Sequence, residues 1–193
     1  MKSLQRLVLL FAFFIGTTLL FSQKVVKQEI KKPSEGKSLV YISKTGAGPL
    51  VNFRIYDKDK FLGVLTGMKY IVYECEPGEH LFWATSENRD YVEANLEPNK
   101  TYVLVAEGQM GMFVAGVNLK PLNPNEFKDK KYFYQIIKNT KEQESIDNSG
   151  DKSENIRKGL EKYADLKQKE SSKIKILEPN WNFENADKPI KEN

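Results

Sequence analysis

The sequence predicts an all-β domain, an antiparallel two-sheet sandwich with C-terminal helices and a disordered tail. Three observations predict it. Residues 70–102 alone hold three runs of β-branched, aromatic and small residues, YIVYEC, HLFWATS and YVEANL, separated by short turns. Five further runs of the same kind bring the total to eight between residues 38 and 119. The runs are short and evenly spaced, with Gly, Pro, Asn and Asp at the breaks, which suits a sandwich or barrel better than a parallel sheet with crossover helices. Eight strands over this length fit a sandwich of immunoglobulin-like size, placed at residues 38–122.

The 193-residue chain opens with Lys2 and Arg6 ahead of an apolar run over residues 7–21 and a small residue, Ser22. This is the layout of a signal peptide, and residues 1–22 are read as one, cut after Ser22. The run is 15 residues, short of the roughly 20 that a spanning helix needs. A retained anchor is the alternative, because Leu20 is large for its place before the cut. No stable membrane insertion is expected after cleavage, and the expected localisation is the periplasm or surface of a bacterium. Removing Lys2 and Arg6 lowers the formal charge from +4 to +2, too small an excess to argue for nucleic acid or an acidic membrane. Residues 23–37 are charged, contain Pro33 and Gly36, and read as a linker outside the core.

The first strand, residues 38–43, sets Leu39, Tyr41 and Ser43 against Val40 and Ile42. The TGAGP loop after it opens no helix and precedes no Lys-Ser or Lys-Thr pair, so it is a turn and not a phosphate cradle. Residues 51–57 and 61–66 form strands on either side of a DKDK turn. In residues 70–75, Ile71, Tyr73 and Cys75 oppose Tyr70, Val72 and Glu74. Glu76-Pro77-Gly78-Glu79 then closes a first hairpin as a type II turn. Glu87-Asn88-Arg89-Asp90 closes a second, and Glu97-Pro98-Asn99-Lys100 repeats the turn chemistry before residues 101–106. Gly108, Gly111 and Gly116 surround a last strand at 112–119. With strand and not helix following, they mark a bulge or close backbone approach, not a dinucleotide site.

Asn123 caps a helix and Pro124 takes its first position. Phe133, Ile136, Ile137 and Thr140 fall on one face, so this helix, residues 123–141, should pack against the sandwich. Residues 142–171 form a charged helical extension capped by Asp151 or Ser153. Its thin stripe of Ile156, Leu160, Tyr163 and Ala164 rests on its own domain. Residues 172–193 read as a disordered tail, with the alternative that residues 174–177 add a strand to an exposed sheet edge.

The order of SLVYI, NFRIYD with DKDKFLG, PGEH, EPNKTY and FVAGVNLKPL resembles a bacterial family of exported domains of unknown function, itself similar to the small sandwiches of PEGA type. The resemblance covers about half of the chain, roughly residues 38–139, and implies fold and export and no activity. The anchoring cysteine of the family's lipoprotein form is absent.

Cys75 is the only cysteine and His80 the only histidine. A disulfide within the chain is excluded, as are cysteine-cluster and His-His zinc sites. Cys75, Glu76, Glu79 and His80 lie close in sequence but supply too few strong ligands, so no metal and no cofactor is expected. No Gly-x-Ser-x-Gly elbow presents a nucleophile to His80. The candidate binding residues are the aromatics Tyr70, Tyr73, Trp83 and Tyr91, some of which a period of two turns outward to stack on sugars or seat a partner. Filling the core is their alternative use. The expected function is a non-catalytic module of the cell envelope with a structural or protein-interaction role, its partner an envelope protein or glycan. A polysaccharide or peptidoglycan binding module is the alternative, and an enzyme of unrecognised type the third reading.

Overall fold

A computed structural model describes residues 26–46, 51–110, 115–143 and 150–191. The export segment expected over residues 1–22 lies outside the described residues. Ten strands and two helices occur among those described: β1 (Ser38–Gly46), β2 (Phe53–Asp57), β3 (Lys60–Leu65), β4 (Lys69–Cys75), β5 (Gly78–Thr85), β6 (Arg89–Leu96), β7 (Thr101–Met110), β8 (Ala115–Pro121), α1 (Phe127–Asn139), β9 (Lys141–Glu142), α2 (Ser153–Gln168) and β10 (Ile174–Leu177). One sheet runs β8-β7-β1-β4-β9 and the other β10-β6-β5-β2-β3. They share one core. Val40, Ile42 and Leu104 of the first sheet meet Phe53, Ile55, Phe82 and Val92 of the second, all fully buried.

The chain is therefore mostly β in two facing sheets, but both sheets are mixed, not antiparallel. β1 runs parallel to β7, β4 to β9 and β6 to β10. The cause lies in the turns. Glu76-Pro77-Gly78 does not fold β4 back onto β5. With Gly78 at φ +109°, it carries the chain from one sheet to the other. Gly67 (φ +58°) and Asn99 (φ +61°) sit in two further crossings. Alternate visits to the two sheets bring β7 beside β1 in the same direction, with the strands between supplying the long connection a parallel pair needs. True hairpins remain at β2–β3, β5–β6 and β7–β8.

Both outer faces are covered. α1 lays Phe133 and Ile136 on Tyr41, Val103 and Val105, as the spacing predicts. It begins after Glu126, later than expected, because the Asn123 side chain accepts the Asn125 N–H in a preceding turn. α2 crosses the second sheet, where Ile156, Leu160, Tyr163 and Leu166 pack over Tyr56, Leu81, Trp83 and Tyr91. Leu166 replaces Ala164, which is exposed. The result is a helix, two sheets and a helix in four layers.

The tail is not disordered over its described residues, 172–191. IKIL forms β10 against β6, and Leu177 enters the shared core. The chain then reaches the far face of the other sheet, where Phe183 meets the Phe133 ring edge-on at 4.9 Å and its N–H donates to the Thr101 carbonyl at 2.7 Å. Ala186 N–H donates to the Gln28 carbonyl, so the linker region is held as well. Leu177, Phe183 and Ala186 are all buried, which offsets the ordering entropy that a wholly polar tail could not meet.

β8 is an edge strand whose outward groups are closed by side chains. The Asn88 amide donates to the Val117 carbonyl at 2.9 Å and accepts the Val117 N–H at 2.6 Å, while Asp90 accepts the Leu119 N–H at 2.6 Å and Lys175 donates to the Leu119 carbonyl at 3.1 Å. These contacts satisfy the edge as another strand would, and so block it. Gly116 permits the approach: a Cβ there would lie 3.3 Å from Asn88 Oδ1.

Candidate functional site

The four aromatics singled out from sequence do not share a surface. Trp83 and Tyr91 do lie on an outer face, yet they are 0% and 1% exposed because α2 covers them. Trp83 stacks on Tyr56 with ring centroids 3.8 Å apart, and its Nε1 donates to the Lys58 carbonyl at 2.9 Å. Tyr91 donates its hydroxyl to the Gly159 carbonyl of α2 at 2.8 Å. Tyr73 and Tyr70 are both on β4 of the first sheet: Tyr73 is half-buried at the shared core against the edge of Phe82, and Tyr70 is half-buried on the outer face beside Tyr41. Sequence reasoning missed Tyr56, because register alone sets it beside Trp83 and Trp83 beside Tyr91.

It also missed Asp57. This residue ends β2 and is buried. His80 Nδ1 donates to Asp57 Oδ2 at 2.7 Å, the Tyr73 hydroxyl donates to the same oxygen at 3.2 Å, and His80 Nε2 lies 2.8 Å from the Glu76 carbonyl. Both ring nitrogens thus face acceptors, an arrangement satisfied only by the doubly protonated imidazolium. Burial opposes that charge, but hydrogen bonding to Asp57, Cys75 and the Glu76 carbonyl outweighs it and lifts the His80 pKa to about 10. Burial and the Asp57 carboxylate likewise push the Tyr73 pKa up. With no lone pair left on its ring, His80 cannot act as a base here. It pins the sheet-crossing turn to the end of β2. Cys75, buried at the end of β4, donates to the Ser38 carbonyl at 3.8 Å. Among the described residues no three His, Cys, Asp or Glu side chains converge on a point where a metal would sit.

The His80–Asp57 pair carries a pH signature. Its folded pKa of about 10 lies above the ordinary 6.5. The stabilisation is therefore complete below about pH 6.5 and fades as the pH rises toward 10. At 1.36 kcal/mol per pKa unit it amounts to roughly 3–5 kcal/mol. Between pH 7 and 10 the wild-type Tm should fall more steeply than that of His80→Gln, and parallel slopes would remove the pair from the account.

Next to His80 opens a cleft of about 640 Å³ on the outer face of the second sheet, just past the end of α2's cover. Leu81, Ala94 and Leu177 are among the residues lining it, and Lys58, Glu79, Glu93 and Lys167 bring charges of both signs. Glu93 accepts from Tyr163 at 2.7 Å and from Lys167 at 2.8 Å. Burial raises the Glu93 pKa, but these two donors outweigh it and hold the carboxyl below its usual range. Ile176 of the edge strand β10 lines the same cleft and is 56% exposed. Such a surface can hold an aliphatic anchor flanked by charges; the rings among its lining residues are those of Tyr163 and His80. No helix among the described residues is long and apolar enough to cross a membrane. No family model, no curated protein and no solved structure matches this chain, so its site rests on its own residues.

Proposed function

We propose that the protein is a non-catalytic module of the cell envelope that docks a segment of another protein in the cleft beside β10. The observation that carries this reading is the cleft's composition: aliphatic residues, an exposed Ile176 and charges of both signs. An extended partner segment with one aliphatic anchor and flanking charges of both signs matches it, and β10 stands at a sheet edge where such a segment runs alongside. The polysaccharide reading needs open ring faces. Trp83 and Tyr91 offer none beneath α2, which favours a protein partner. Export to the periplasm or cell surface rests on the basic and apolar pattern of residues 1–22. A PEGA-like identity of the sandwich rests on its turn chemistry.

Ile176→Asp tests the reading. The side chain is exposed, so Tm should change little. Retention of the partner in crosslinked capture from intact cells should be lost. A variant that captures the same protein as wild type overturns the cleft as the docking site.

A further inference from the structure

The row of residues preceding the aromatic row on the second sheet has a different character. Register places Arg54 of β2 opposite Thr85 of β5, and Thr85 opposite Arg89 of β6. The three lie in one line across the outer face, with the two arginine Cα atoms about 10 Å apart, twice the strand spacing. Arg54 is exposed and Arg89 half-buried. Neither guanidinium meets a carboxylate among the described residues. Arg89 Nε is buried with no hydrogen-bond partner among the described residues, and so is the hydroxyl of Tyr56, which belongs to the next row. Burial pushes the Tyr56 pKa up, and Arg54 and Arg89 both pull it down, so the two cations act on that oxygen together. Thr85 Oγ1 makes a long contact, 3.4 Å, to the Ser86 carbonyl.

Buried donors without acceptors are costly and uncommon in a folded chain. Here two occur together under a pair of uncompensated cations. We propose that Arg54, Thr85, Arg89 and Tyr56 form a binding site for a phosphate group. The arginine forks approach one group from two sides, which a tetrahedral phosphate accepts more fully than a carboxylate with two oxygens. The Thr85 hydroxyl donates to an oxygen that remains, and so does the hydroxyl of Tyr56, fully buried beneath the row, once the Arg89 side chain shifts onto the ligand. This site is separate from the cleft beside β10, at the opposite end of the same face, and does not depend on it.

Inorganic phosphate tests the proposal, added to the full chain at constant ionic strength with chloride and acetate as controls. Phosphate should raise Tm in a saturable way, and chloride and acetate should not. Arg54→Gln, at an exposed position, should fold as wild type and bind about tenfold more weakly, the loss expected for one charged hydrogen bond. Arg89→Gln should do the same. Tyr56→Phe removes a hydroxyl without a partner, so it should fold at least as well as wild type while binding phosphate more weakly. A purely structural Tyr56 would leave the phosphate affinity unchanged, and that result overturns its part. Equal shifts with chloride, or with Arg54→Gln and Arg89→Gln unaffected, overturn the site. Glycerol phosphate in a parallel titration separates a phosphomonoester from the free ion, and either result leaves the phosphate group as the ligand.

Discussion

Trp83→Ala should lower stability by about 3–5 kcal/mol and detach α2 from the second sheet. The side chain is fully buried on the outer face, stacked on Tyr56, hydrogen-bonded to the Lys58 carbonyl and capped by the helix. The rest of α2 is seated by half-buried side chains, Ile156, Leu160, Tyr163 and Leu166, and by the Tyr91 bond to the Gly159 carbonyl; apart from Gly159 none of its residues is fully buried. Gly159 explains how the helix comes so near. A Cβ at that position would lie 2.4 Å from the indole ring, closer than any relaxed contact. A Gly→Ala exchange inside a helix ordinarily gains about 1 kcal/mol. Gly159→Ala should instead destabilise, because the ring is wedged between Tyr56 and the helix and cannot yield. Urea denaturation of both variants checks this. A loss below about 1 kcal/mol for Trp83→Ala, or a gain for Gly159→Ala, would mean that α2 is not seated on the sheet.

A chain ending at Ser171 should lose most of its stability. Truncation removes Leu177 from the shared core, Phe183 and Ala186 from the outer face under α1, and the β10–β6 pairing. Leucine and phenylalanine truncations in cores cost about 2–5 and 3–5 kcal/mol, and their sum approaches the 5–15 kcal/mol that holds a typical domain together. Leu177→Ala alone should therefore cost about 2–4 kcal/mol. The tail also crosses between the sheets, since the Tyr102 hydroxyl donates to the Pro179 carbonyl at 2.9 Å. A truncated chain that melted cooperatively within a few degrees of the full one would show the tail to be an accessory.

The strands and their turn residues were legible in the sequence, while the sheet each strand joins was not. A Pro-Gly or Pro-Asn turn serves a hairpin and a crossing equally well, and only the packing of distant strands chooses between them. One signal was present. TYVLVA in β7 is apolar without alternation, the pattern of a strand buried on both faces and paired in parallel. It pointed both to the parallel pairing with β1 and to cover by α1. In the tail, Leu177 and Phe183 stand alone among polar residues, too sparse to give a periodic signal, yet each reaches a different apolar cluster. Asp57, Tyr73 and His80 meet from β2, β4 and β5, and Arg54, Thr85 and Arg89 from β2, β5 and β6. Both groups depend on register, which no local spacing encodes.

The cleft beside β10 is tested most directly by placing a photo-crosslinking side chain at Ile176 of the full chain, with a control at Met68. Met68 is 67% exposed in the turn before β4, toward the opposite edge of the sandwich. Irradiation in intact cells should give a defined protein adduct from position 176 that is absent from position 68 and weakened by Lys167→Glu. Adducts to glycan alone, or the same adducts from both positions, would contradict a protein-docking cleft.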